Sequence, residues 1–88
     1  MEEYKIIKAT TLTDTEQTLY SNSSGAIVKT IALQSTNTEI TKATLIFDGV
    51  AFNFDLGSEV TKFEGPIMTK NLKGSGDGVN IHITGLQL

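Results

Sequence analysis

Residues 42–56, KATLIFDGVAFNFDL, read as two strands folded on the dipeptide Asp48-Gly49. Asp-Gly is a favoured filling for a two-residue type I′ turn, in which both central residues need positive φ. A turn on those two residues fixes the register. Phe47 then lies opposite Val50, Leu45 opposite Phe52 and Ala43 opposite Phe54. Side chains alternate along a strand with period two, so all six share one face. The other face carries Lys42 opposite Asp55, Thr44 opposite Asn53 and Ile46 opposite Ala51. One face is apolar and holds three of the four phenylalanines, while the other tolerates water. An isolated hairpin is marginal in water, so the apolar face is expected to be covered by further elements and to form core, with Phe52 buried in it.

The strands around this hairpin are shorter signals of the same kind. Residues 26–34, AIVKTIALQ, place Ile27, Ile31 and Leu33 with Lys29 on one face, and Val28, Thr30 and Ala32 on the other. Residues 79–84, VNIHIT, alternate strictly, with Val79, Ile81 and Ile83 inward and Asn80, His82 and Thr84 outward. A bulge at Gly85 would let this strand run on to the end of the chain. Residues 3–12 read as a first strand with Tyr4 and Ile6 on one side, followed by a turn at 13–16. Residues 17–20 form a short strand ended by the loop Ser21-Asn22-Ser23-Ser24-Gly25, and 35–40 form a polar connector. After the central hairpin, Gly57-Ser58-Glu59 turns the chain into a strand over 60–63, and Gly65-Pro66 breaks it. Pro66 has no N–H for a ladder and belongs at a strand start or edge. Residues 67–72 are a further strand and 73–78 a glycine-rich hairpin loop.

No helical period persists for three turns, and turn signals recur at intervals of roughly 8–12 residues. The reading is all-β: residues 1–88 as one small antiparallel β-sandwich, or flattened barrel, of seven to eight short strands. Composition agrees. Threonine, valine, isoleucine and phenylalanine suit pleated surfaces, and there is one proline and no cysteine. Without cysteine there is no disulfide, no thiolate metal site and no thiol nucleophile.

Charge and motifs narrow the function. Seven lysines and no arginine against ten acids give a net charge of −3, which lacks the residue best suited to phosphate and guanine contacts, so nucleic acid is not the expected partner. The residues MEEYKIIKATTL lack the basic start of a signal peptide, and no window reaches the length of a membrane span. The chain is expected to be made in the cytoplasm. The run Gly74-Ser75-Gly76-Asp77-Gly78 is not a phosphate loop, because Lys73 precedes the glycines and a strand rather than a helix follows. His82 is the single histidine and its strand neighbours Asn80 and Thr84 make poor catalytic or metal partners. The aspartates do not fall into a calcium-loop spacing. No catalytic residue, metal or cofactor is expected, and the chain reads as a non-enzyme.

Four residues remain as candidate contacts. Tyr20 closes its strand and suits an interface, since tyrosine is large and amphipathic, although a tyrosine shielding the rim of the core is the plainer reading. Tyr4, Asn80 and His82 sit at outward positions.

The order of elements resembles small virion proteins of tailed bacteriophages. The matching segments are Thr18-Leu19-Tyr20 before a Ser/Gly-rich loop, Ala26-Ile27-Val28-Lys29-Thr30-Ile31, the Ser-Thr-Asn-Thr connector at 35–38, Asp48-Gly49-Val50-Ala51-Phe52, Glu64-Gly65-Pro66-Ile67, and Val79-Asn80-Ile81-His82-Ile83-Thr84-Gly85. The chain departs from the pattern at 21–25, where a Pro-Ala-Gly style of loop is more usual. The resemblance implies a head-decoration or tail-accessory subunit present in many copies of the virion. It would be a homo-oligomer touching major capsid or tail proteins, with no catalytic residues. The alternative is a binding module for carbohydrate or a host surface, working through the loops at 21–25 and 74–78.

Overall fold

The computed structural model describes residues 4–88, so Glu3 of the expected first strand lies outside the described residues. Six strands form one open sheet: β1 Lys5–Leu12, β2 Gln17–Ser35, β3 Thr41–Phe47, β4 Val50–Leu56, β5 Thr61–Ser75 and β6 Val79–Gln87. Their order is β1-β6-β2-β5-β3-β4, and every pairing is antiparallel. The fold is all-β, as composition and spacing indicate. The strands number six rather than seven or eight, because two of the expected breaks lie inside long strands.

The first is at 21–25. Ser21 pairs with Asn71 and Ala26 with Thr69, so residues 22–25 loop out of the ladder while β2 continues. The second is Gly65-Pro66, which sits inside β5 where Val28 pairs with Ile67 and Thr30 with Glu64. Pro66 is therefore inside a strand rather than at its start, but it lies in the half of β5 that pairs with β2 alone, so its outer side is an edge, as expected of a residue without an N–H. It also occupies an irregularity, another place where a missing N–H breaks no regular ladder.

β2 has to bend. Even without the looped-out residues 22–25 it would span about 50 Å if straight, against a longest molecular dimension of 41 Å. The bend is at Lys29. Val28 pairs with Gly85 and Thr30 with Thr84, which leaves Lys29 as an extra residue. A bulge of this kind kinks the strand and shifts its alternation by one. Ala26 and Val28 are buried before it, and Ile31, Leu33 and Ser35 after it. Val28 thus takes the core position that strict alternation gives to Ile27. Both neighbouring strands offer a glycine at this corner. A Cβ on Gly85 would run into the Ile27 carbonyl oxygen, and one on Gly65 into that of Val28.

All six strands supply the core, from Leu12 in β1 and Leu19, Val28, Ile31 and Leu33 in β2 to Val79, Ile81 and Ile83 in β6. Leu12 and Leu56 belong to the two edge strands yet bury in the same cluster, so the sheet curls over its own interior. The buried Ser35 shares a hydrogen bond of 2.8 Å with Thr41 Oγ1. The N–H of Ser35 also donates to the carbonyl of Gly57, tying the end of β2 to the end of β4.

The central hairpin has the expected register, Phe47 with Val50 through Thr41 with Leu56. Asp48 and Gly49 carry positive φ of 52° and 86°. The burial of its apolar face is different from the expectation. Ala43, Leu45 and Leu56 are buried and Phe47 and Phe54 half-buried, but Val50 is 58% and Phe52 54% exposed. β4 is an edge strand, and near the turn nothing among the described residues covers its face. Phe52 is a surface residue.

Candidate functional site

That uncovered face is one wall of a groove. Leu45, Phe47, Val50, Phe52 and Phe54 of the hairpin stand across from Ile31 of β2 and Phe63 and Ile67 of β5, enclosing about 610 Å³. β5 places Phe63 there through the segment before its Gly65-Pro66 irregularity. The four phenylalanines form two edge-to-face pairs. Phe47 and Phe52 have ring centroids 5.8 Å apart, and Phe54 and Phe63 5.3 Å apart. Such pairs favour one packed arrangement over a loose one. Asn53 is the one polar residue of the lining, and its side chain lies on the opposite face of the hairpin, where its Oδ1 accepts from Thr44 Oγ1 at 2.7 Å. Among the described residues, no titratable side chain lines the groove. It is suited to receiving apolar side chains.

The rim of the groove is a strand that pairs on one side only among the described residues. In a two-residue hairpin the residues flanking the turn exchange both hydrogen bonds, and bonded and non-bonded pairs alternate from there. Val50, Phe52, Phe54 and Leu56 therefore bond to β3, and the N–H and C=O groups of Ala51, Asn53 and Asp55 point away from the sheet. The donation from Asp48 N–H to the Asn71 carbonyl of β5, 2.8 Å, fits the same alternation.

The turn is fastened where the groove begins. Asp48 Oδ1 accepts from the backbone N–H groups of Lys70 and Asn71, each at 2.9 Å. Those two bonds hold its carboxyl below the usual aspartate range.

The residues singled out in the sequence lie elsewhere. Tyr20 is half-buried against the core, and its hydroxyl donates to the Gly25 carbonyl at 2.8 Å, closing the 22–25 loop-out. Tyr4 is exposed, with Lys29 Nζ 6.0 Å from its ring centroid. Asn80 and His82 are exposed on β6 and border a shallow depression with Val60, and Asn80 accepts from Thr11 Oγ1 at 2.6 Å. None of the four lines the groove. Among the described residues, no three His, Asp or Glu side chains could share a metal ion, and no helix is long and apolar enough to cross a membrane.

The loops at 21–25 and 74–78 do not converge. Leu88 N–H donates to the Gly25 carbonyl beyond one end of β6, while Gly78 precedes the other end. Gly25 and Gly78 thus lie at opposite ends of β6, although Ser21, paired with Asn71, is only about 10 Å along β5 from Gly74. The second loop also spends its backbone on the fold: Gly76 and Gly78 donate to Thr13 and Leu12, and the Gly78 carbonyl accepts from Thr36 N–H and Oγ1.

Sequence reasoning missed the groove because it assigned Phe47, Phe52 and Phe54 to the core and gave Phe63 no role. The available signal was the concentration of every phenylalanine within residues 47–63. No protein-family model, curated protein or solved structure matches this chain.

Proposed function

We propose that the chain is a non-enzymatic structural subunit that works by protein–protein contact, as an auxiliary subunit of the capsid or tail of a tailed bacteriophage. The observation that carries the contact role is the phenylalanine groove beside the open β4 edge. Apolar surface of this extent is costly to leave in water, and burying it in a partner is favourable at about 25 cal/mol per Å². The phage setting is supported by the strand-and-turn resemblance, from the Ser/Gly-rich segment before Ala26 to the closing Val79–Gly85 alternation.

The test is compositional. Tailed-phage particles purified from a culture that carries the gene should contain this chain in many copies, measured by quantitative mass spectrometry. A chain abundant in the lysate and missing from the particles sinks the virion role.

A further inference from the structure

We infer that β4 pairs with β4 of a second copy, antiparallel and centred on Asn53, so that two sheets join into one and the two phenylalanine faces become continuous. The inference rests on the contact role proposed above and names its partner.

The two ends of the sheet are not alike. Natural sheets blunt their edges with lysine, proline, charge or a bulge, because an unguarded edge templates pairing with another chain. β1, KIIKATTL, has Lys5 and Lys8 and a register shift between Ile6 and Lys8. The outer side of the first half of β5 has Lys62, Glu64 and Pro66. β4, VAFNFDL, has no lysine, no proline and an unbroken register with β3. Its one charge is Asp55.

The sequence of β4 is its own complement. Phenylalanine can face phenylalanine across the new pair only if paired residue numbers add to an even sum, which keeps both apolar sets on one side. Centring on Asn53 is the even register that uses the whole strand. It sets Asn53 against Asn53, Ala51 against Asp55, Phe52 against Phe54 and Val50 against Leu56. Ala51, Asn53 and Asp55, whose backbone groups point outward, become the bonded pairs and supply about six interchain hydrogen bonds. Phe52 and Phe54 meet as non-bonded pairs, where side chains approach closest. No like charges stand opposite each other.

Area sets the strength. The edge is roughly 24 Å long and one sheet, ~10 Å, thick, on the order of 240 Å² a side. Stable complexes bury about 800 Å² per partner. The pair is therefore a weak dimer, formed at high protein concentration or where many copies are held side by side.

Sedimentation equilibrium of the purified chain from about 10 µM to 1 mM tests this, together with Asn53→Pro, Ala51→Lys and Ala51→Asp. Wild type should pass from monomer to dimer within that range. Asn53→Pro removes an N–H that the monomer leaves free, so it should stay monomeric while unfolding cooperatively. Ala51→Lys faces Asp55 of the other copy twice and should tighten the dimer several-fold, whereas Ala51→Asp should weaken it by a similar factor. Opposite effects of the two Ala51 variants are specific to this register, and they hold the test open should the proline variant fail to fold. A wild type monomeric at 1 mM overturns the inference and leaves the particle measurement to judge the contact role. Association that survives a folded Asn53→Pro variant places the interface elsewhere. Weakening by both Ala51 variants overturns the Asn53-centred register, because it means that the copies pair in another one.

Discussion

Asp48 and Gly85 show how single residues hold this sheet in shape. Asp48 makes a turn possible through its tolerance of positive φ, and its carboxylate also fastens that turn to β5 through the N–H groups of Lys70 and Asn71. A carboxyl whose folded-state pKa is depressed contributes stability that is present above its unfolded value, about 3.9, and lost as the pH falls through the folded value. Asp48→Asn keeps the turn geometry and removes the charge. It should lower the urea midpoint at pH 7 and flatten the loss of stability below pH 4, as seen by comparing both proteins across pH 2–7. Gly85 does a different job, giving the bulged corner of β2 room to approach. Gly85→Ala forces a methyl into the Ile27 carbonyl, and overpacking of this kind should cost about 1–3 kcal/mol in a urea unfolding curve. Tyr20→Phe, which removes only the bond to the Gly25 carbonyl, should cost about 1 kcal/mol in the same measurement.

Among the elements, the central hairpin divides into a buried half and a presented half. Leu45→Ala should destabilise by about 2–5 kcal/mol, because it removes a buried side chain of the core cluster. Phe52→Asp should leave cooperative unfolding nearly intact, because its side chain already meets water. Thermal unfolding of the two variants side by side checks the division. Deleting Lys29 is the sharper test of the long strand. Without the extra residue Val28 and Ile31 stand two positions apart and both still point inward, so the deletion should keep cooperative folding, whereas deleting Lys29 and Thr30 together turns Ile31 and Leu33 outward and should abolish it. These elements also mark what could be read in advance. The register of the hairpin was legible because Asp48-Gly49 admits one tight turn and the turn dictates every pair after it. The exposure of Phe52 was not, because an apolar side chain has the same signature whether it faces its own core or a partner. Gly25 and Gly65-Pro66 looked like ends of strands because bulges and loops use the same residues. Lys29 gave no sign at all, since its bulge needs no special residue and shows only in the change of phase between Val28 and Ile31.

For the whole molecule the pairing order governs what can be removed. β6 lies between β1 and β2, so a chain ending at Gly78 loses the ladders of both neighbours and three core residues, Val79, Ile81 and Ile83. Such a chain should show no dispersed amide spectrum by NMR. The same order places β1 and β6, the first and last strands, side by side and antiparallel, with Lys5 opposite Gly85. Ladder bonds in such a pair run perpendicular to the strands. A pull applied at Tyr4 and Leu88 would therefore open the β1–β6 ladder one bond at a time, like a zip, and the protein yields at low force when stretched by its ends. A pull along β2 and β5 would load their many shared bonds together in shear. The molecule is mechanically anisotropic, and a load applied along the two long strands is the one it can bear.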